Sequence, residues 1–416
     1  MKSERKLRIS ETPFTFDLSL LTSTSRFLSL ISYPKLHKVK KFFKRLLLGI
    51  LGLLLLLSVF ALVTGRTYLF KAVAYNFADV DDYEVFTNDE VAISQPQPWP
   101  ISENFNKAEM PAALQAELDA IKNIGVVVIK NDSLFYEKYR TGYSDSSWSG
   151  SFSMAKSITS LLIGVALKEG KIASLEDPVG KYIPEFNEGE KAKVKIIHLL
   201  TMSSGSDWDE SYSNPLSVTT ELYYGSDVYK TATGVKIIKE PGTYHDYKSG
   251  DSQLLGLILE KATGKSLSEY ASEKLWKPLG AEHPAKWSTD KKQGHTKSYC
   301  CFNSNARDFA RIGQLMLDSG KWKGAEIISP DYYQKSIASC AINDENGSPC
   351  SYYGFQWWLV PFKPGVFYAR GILGQYIIVI PEKNIVVVRL GEKRGLIYKE
   401  TVPQEVNDII EWAYKM

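Results

Sequence analysis

Ser153-Met154-Ala155-Lys156 opens an apolar run, Ser157-Ile158-Thr159-Ser160-Leu161-Leu162-Ile163-Gly164-Val165-Ala166-Leu167, that closes on Lys168-Glu169-Gly170. Ile158, Leu161, Leu162 and Val165 recur at helical spacing, and Gly170 followed by Lys171 is a common helix stop. The stretch therefore predicts a buried helix with Ser153 at its N-terminus. Lys156, three residues on, shares a face with Ser153, so its amine can lie near the serine hydroxyl. A serine is a poor nucleophile at neutral pH unless a base takes its proton, and a lysine whose pKa is lowered by burial can do so. The helix N-terminus also favours developing negative charge. Spacing alone carries little weight, because Ser-x-x-Lys also occurs at Ser3, Ser32 and Ser288. The rest of the chain has to decide.

At 416 residues, 44% hydrophobic and 23% charged, the chain is long enough for one large or two modest globular domains. Its net charge is +3, with much of the excess before residue 72, which argues against a basic nucleic-acid-binding face. Residues 46–65, Leu46 to Gly65, carry no charge and would span roughly 30 Å as a helix, the thickness of a bilayer core. Lys35, Lys38, Lys40, Lys41, Lys44 and Arg45 precede this segment, whereas Asp79, Asp81, Asp82 and Glu84 follow soon after Arg66 and Lys71 on its other side. The positive-inside rule then places the N-terminus in the cytoplasm and the bulk of the chain outside, in the periplasm or extracellular space. A cleaved signal peptide is the rival, but its apolar region is usually shorter, and no clean small-x-small site follows here. Residues 1–34 show neither helical periodicity nor a targeting pattern. The expected organisation is a cytoplasmic tail over 1–45, basic near the membrane, and an anchor over 46–65. A Pro-containing spacer (Pro96, Pro98, Pro100) over 66–111 then leads to a catalytic domain over 112–416.

All four cysteines, Cys300, Cys301, Cys340 and Cys350, fall on the expected outer side, where disulfides persist. The short loop between Cys340 and Cys350 suits a local bridge, though three full pairings remain open and four buried thiols are the plain alternative. The five histidines, His37, His198, His245, His283 and His295, show no paired ligand spacing, and no glycine-rich phosphate loop stands out. Neither a metal nor another cofactor is expected.

Within the catalytic domain, Ala112 to Lys122 has helical composition. Gly125–Ile129 and Leu134–Tyr139 flank a turn, as do Tyr376–Ile380 and Ile385–Leu390, so both pairs predict hairpins. Short helices are expected over Val194–Met202, Leu254–Ala262 and Arg307–Leu317, and a final helix carries Val402, Val406, Ile409, Ile410 and Ala413 on one face. Strands at both ends with helices between predict an α+β fold, with one antiparallel sheet built from both termini. Trp208, Tyr212, Tyr223, Tyr224 and Tyr229 form an aromatic region that either packs in the core or walls a cleft.

Several segments together, in order, resemble the serine β-lactamase and penicillin-binding-protein superfamily over about residues 115–416. Ser153-Met154-Ala155-Lys156 stands at its Ser-x-x-Lys. Leu199-Leu200-Thr201-Met202-Ser203-Ser204-Gly205 is similar to its Leu-Leu-x-His-Thr-Ser-Gly segment, with Met202 in place of histidine. Tyr247-Lys248-Ser249 resembles the Tyr-x-Asn motif, with Ser249 in place of asparagine, and Gly371-Ile372-Leu373-Gly374-Gln375 stands where Lys-Thr-Gly or His-x-Gly is usual. Tyr-x-Ser with Gly-x-x-Gly-Gln looks closest to the branch holding 6-aminohexanoate-dimer hydrolases and carboxylesterases.

The resemblance implies a β-lactamase/transpeptidase-like fold with a mostly helical insert. It also implies a Ser153 acyl-enzyme cleaving a small-molecule or peptide ester or amide, with Lys156 and Tyr247 as general base and acid. The oxyanion donors would be the backbone N–H groups of Ser153 and Gln375, and Ser249, Ile372, Gly374 and Trp208 would contact substrate. Lys156 is the expected source of the positive charge that would favour a Tyr247 phenolate. Ile372-Leu373 offers neither charge nor hydrogen bond to a substrate carboxylate, which argues against penicillin recognition. Lys248 reads as a surface residue, His245 as structural, and Ser249 equally as a partner of Lys156 or a helix cap. Two other readings stay open. One is a D-amino-acid peptidase or carboxypeptidase acting on cell-wall peptides, with Arg370 as carboxylate clamp; the other is a retired site kept as a binding module.

Overall fold

A computed structural model describes residues 33–416, with side chains from residue 38 onward. The expectations for residues 1–32 lie outside the described residues. Two units are distinguished, residues 1–66 and residues 67–416. In the first, helix α1, Tyr33–Val63, runs through the basic flank as well as the apolar segment, and its portion Lys38–Val63 is long and apolar enough to cross a membrane. Leucine-rich sequence accounts for its length, its one proline, Pro34, falling in the first turn where it is tolerated.

The second unit opens with helix α2, Tyr68–Tyr75, and strand β1, Thr87–Val91. Residues 67–111, expected as a spacer, are instead folded into this unit. Strand β1 pairs antiparallel with β5, Ala285–Thr289; Pro100 accepts a backbone bond from Leu134 at 2.8 Å; and the buried Trp99 indole donates to the Arg307 carbonyl at 3.0 Å. Each of these ties is made to residues far along the chain, so no local pattern announces it.

The main sheet has six antiparallel strands, and both predicted hairpins lie side by side in it. These are β2, Asn123–Lys130, with β3, Ser133–Tyr139, and β9, Gln375–Ile380, with β10, Ile385–Gly391. The edge is completed by β7, Trp358–Leu359, and β8, Phe367–Gly371, giving the order β7-β8-β9-β10-β2-β3. The two termini meet where β10 pairs with β2. Alternation sorts the strand residues between two cores. Val127, Ile129, Ile377, Val379, Val386 and Val388 face one, whereas Val126, Val128, Ile378, Ile380, Ile385 and Val387 face the other.

The second core is closed by α3, Ala112–Ala120, and α9, Gln404–Ala413, through Leu114, Leu118, Val406, Ile409 and Ile410. The first core is covered by α4, Met154–Lys168, by the short α5, Val218–Tyr224, and α6, Val228–Thr233, and by α7, Ser249–Thr263, and α8, Ala306–Leu317. Helix α8 lies close to the sheet because Gly313 has no Cβ; an added one would sit 2.4 Å from Val386 Cγ1. Helix α7 begins five residues earlier than apolar periodicity alone indicates, since its first turn is polar and buried. Tertiary packing rather than propensity holds that turn.

A smaller four-stranded sheet aims the nucleophile. Its order is β1-β5-β6-β4, with β4 at Ser149–Gly150 and β6 at Phe302–Ser304. Beyond β4 the Ser151 amide donates to the Phe302 carbonyl at 2.8 Å, and Phe152 then takes a positive φ of 44° before α4 begins. A non-glycine residue in that region is held there by its surroundings.

Candidate active site

Ser153 precedes the first turn of α4, and Lys156 is fully buried one turn on. The Lys156 amine lies 3.1 Å from Ser153 Oγ, 3.1 Å from Ser249 Oγ and 3.0 Å from the Tyr299 carbonyl. It also sits 5.2 Å from the centre of the Tyr247 ring. Burial lowers its pKa to about 8, partly opposed by the Glu210 carboxylate. The structure thus gathers Ser153, Lys156, Tyr247 and Ser249 from α4 and the start of α7. Ser249 makes no cap bond; its hydroxyl receives Lys156 instead. Tyr247 differs from expectation. Burial, reinforced by Glu210, raises its pKa, while its hydrogen bond with Ser153 only moderates the rise. It is therefore a neutral phenol, able to donate a proton rather than to act as a standing phenolate.

Glu210 is the residue the sequence did not single out. Its carboxylate accepts the Ser249 hydroxyl at 2.6 Å, the Ser249 amide at 2.7 Å and the Trp208 indole N–H at 2.8 Å, together with the Tyr212 hydroxyl. An anion at the start of α7 suits the helix field. Trp208, expected to contact substrate, is instead buried behind Glu210, with its ring across Gly250, where a Cβ would lie 2.4 Å from Cε3. A Trp-x-Glu-x-Tyr spacing, residues 208–212, was the available signal, masked because the stretch lacks periodicity.

The third segment packs its backbone against the residues just before the nucleophile. A Cβ on Gly371 would come 2.2 Å from the Ser151 carbonyl. Leu373 and Gly374 then take φ of 62° and 86° before β9, and a Cβ on Gly374 would fall 1.6 Å from Arg389 Nη1. Arg389 was also missed. Fully buried, it donates to the Gly374 carbonyl at 2.7 Å and the Lys393 carbonyl at 3.0 Å, and so locks this turn. The Gln375 side chain pairs with the backbone of Gly391 through both its amide nitrogen and its amide oxygen, and so is committed within the sheet.

Ser153 and Ser249 open into a cavity of about 590 Å³. Ile372 and Leu373 line it, as do Tyr212, Tyr223 and Tyr224 of the aromatic region; Trp208, Tyr229 and Gly374 do not. Arg370, the candidate carboxylate clamp, stacks 4.7 Å from the Trp358 ring centre and donates to the Tyr398 hydroxyl at 3.1 Å. Lys248 is buried rather than on the surface and pairs with Asp246 at 2.8 Å. Close by, burial raises the pKa of Asp251 to about 7 despite a 2.6 Å bond from the Ser204 hydroxyl.

His245 is buried, with Nδ1 3.0 Å from the Thr201 carbonyl. The disulfide joins Cys300 to Cys301, not Cys340 to Cys350, which are free thiols. One ring nitrogen of His245 and the two sulfurs of Cys340 and Cys350 lie within 4.8 Å of one another. That donor set suits a thiophilic cation, although no paired spacing announced it.

A sequence profile of the β-lactamase family matches residues 112–397. The chain belongs to the β-lactamase family. It is 26% identical over 294 residues to the 6-aminohexanoate-dimer hydrolase of Paenarthrobacter ureafaciens, covering 67% of this chain and 74% of that one. Among solved structures, a Bacillus anthracis protein provisionally described as a 6-aminohexanoate-dimer hydrolase superposes with a TM-score of 0.63 at 24% identity, over 80% of this chain and 90% of that chain. A family VIII carboxylesterase superposes with a TM-score of 0.60 at 17% identity, over 76% and 99%. The family member described here is accordingly a serine hydrolase on the β-lactamase/transpeptidase-like α+β fold.

Proposed function

We propose that this protein is a membrane-anchored serine hydrolase that cleaves an ester or amide through an acyl-enzyme on Ser153, with its catalytic unit on the exoplasmic side. The observation that carries the reading is the buried Lys156 amine, 3.1 Å from Ser153 Oγ, with its pKa lowered to about 8. The neutral amine takes the Ser153 proton as Oγ bonds to the substrate carbonyl carbon. The Tyr247 phenol passes a proton to the leaving alcohol or amine and is resupplied by the Lys156 ammonium. Water, deprotonated by the same pair, then cleaves the acyl-enzyme and restores Ser153.

The backbone N–H groups of Ser153 and Gln375 are the proposed donors to the oxyanion, an arrangement in which one donor is typically worth roughly a hundredfold or more in rate. Ser249 holds Lys156 in place and Glu210 holds Ser249. The stacked Arg370, bound to Tyr398, gives no support to a carboxylate clamp of the peptidase kind. The test is p-nitrophenyl acetate turnover by the full chain in detergent, beside Ser153→Ala. Turnover abolished by the substitution supports the reading, and equal turnover in a folded variant overturns it.

A further inference from the structure

The cavity beside Ser153 contains a clue to what is cleaved. No Lys, Arg, His, Asp or Glu lines it among the described residues. Its volume of about 590 Å³ far exceeds what a short acyl group fills. A site built for a zwitterion or a peptide carboxylate would present a countercharge, because an unpaired buried charge is costly. Here the pocket offers ring faces, aliphatic side chains and hydroxyls, with Asn76 as its one side-chain amide.

The wall that extends it is supplied by α2 and the turn after it, through Ala72, Val73, Phe77 and Ala78. Helix α2 packs on the body of the unit by Tyr68 and Ala72, which meet Phe86 and Tyr224. Its other sides are apolar as well. Phe70, Val73 and Tyr75 of the helix, and Phe77 just after it, are 46, 77, 48 and 76% exposed, and Lys71 is the one charged residue in the helix. A helix apolar all round is normally covered, and a run of exposed aromatic and aliphatic side chains marks a surface meant for contact. In the chain only residues 64–67 separate α2 from the apolar helix that is long enough to cross a membrane. Short connection to such a span argues for a lipid surface as the covering partner.

We propose that the substrate is an acyl amphiphile, an ester or amide carrying an extended aliphatic chain, taken up from the lipid surface along α2. Ala72, Val73, Phe77 and Ala78 form the wall of its chain-binding pocket, and Phe70 and Tyr75 lie in the interface. The proposal rests on the serine-hydrolase reading and adds substrate class and route of entry to it.

The test uses the full chain reconstituted in phosphatidylcholine vesicles and a p-nitrophenyl ester series from acetate to decanoate, each below its aggregation limit, with active serines counted by fluorophosphonate labelling. Each methylene buried is expected to raise kcat/KM about threefold to fourfold until the pocket is full. Ala72→Phe, which shortens the pocket, should lower the decanoate-to-acetate ratio of kcat/KM by roughly tenfold or more. Phe70→Glu should lower turnover of a decanoyl ester dissolved in the vesicles relative to the same ester in detergent solution. A flat or falling chain-length profile in labelled enzyme overturns the amphiphile proposal and leaves the serine hydrolase standing. An unchanged vesicle-to-detergent ratio for Phe70→Glu overturns uptake along α2. Absence of both labelling and turnover would instead overturn the reaction class.

Discussion

Replacing Glu210 with glutamine tests the electrostatic design of the site through a shift rather than a loss. The carboxylate is one hydroxyl away from the Lys156 amine, at 2.6 Å from Ser249 Oγ, which is itself 3.1 Å from Nζ. Two unit charges about 5 Å apart at an effective dielectric near 20 attract by roughly 3 kcal/mol. Hydrogen bonds from Trp208 and Tyr212 spread the negative charge, so a fall of about one to two units in the Lys156 pKa is expected. Glu210 favours the ammonium, so its removal favours the neutral amine. The kcat/KM profile of the parent enzyme should rise with pH through a midpoint of about 8, where Lys156 loses its proton. In Glu210→Gln the midpoint moves toward neutrality. At pH 7 the neutral fraction grows from roughly a tenth to between about a half and nine-tenths. The plateau can fall, because Gln holds Ser249 less firmly, and the midpoint is therefore the diagnostic quantity. The assay is p-nitrophenyl acetate hydrolysis from pH 5.5 to 9.5, normalised to labelled serine. An unmoved midpoint, or one displaced upward, would refute the assignment of this limb to Lys156 under the influence of Glu210.

Other outcomes follow from the same geometry. Lys156→Ala should lower kcat by about a hundredfold to ten-thousandfold with little change in thermal unfolding, measured by calorimetry beside steady-state kinetics. Tyr247→Phe should lower kcat over a similar range, more for a poor leaving group such as an alkyl amide than for p-nitrophenol, which hardly needs the proton. Gly374→Ala has no room beside Arg389 and a φ of 86°, so it should cost at least about 2 kcal/mol in stability and reduce kcat together with Tm. Peptide mapping after alkylation without reductant should find Cys300 linked to Cys301, and both Cys340 and Cys350 alkylated once the protein is unfolded.

What the sequence could convey depended on how local the cause was. The two hairpins follow from alternating Val and Ile across four-residue turns, and α4 from the spacing of Ile158, Leu161, Leu162 and Val165; such signals reside within one segment. Ser153 and Lys156 were legible for the same reason, being one helical turn apart. Tyr247 and Ser249 needed the family resemblance, since nothing in their own neighbourhood sets them apart from other loop residues. Glu210 was hidden because its role comes from partners at residues 208, 212 and 249, and Arg389 because its acceptors are main-chain carbonyls, which no composition reveals. Lys248 was misread by treating its loop as exposed, whereas Asp246 and the Ser206 carbonyl neutralise it in the interior. Residues 67–111 lacked periodicity, so their strand pairing with residues 285–289 and the role of α2 in the pocket had no local trace.

The most direct measurement of the central claim is the intact mass of the full chain after reaction with a fluorophosphonate, compared with Ser153→Ala, both with a folded-state check by circular dichroism. A single adduct, mapped to Ser153 and absent from the variant, is the predicted result. An unlabelled parent protein, or an adduct that persists in Ser153→Ala, would contradict it.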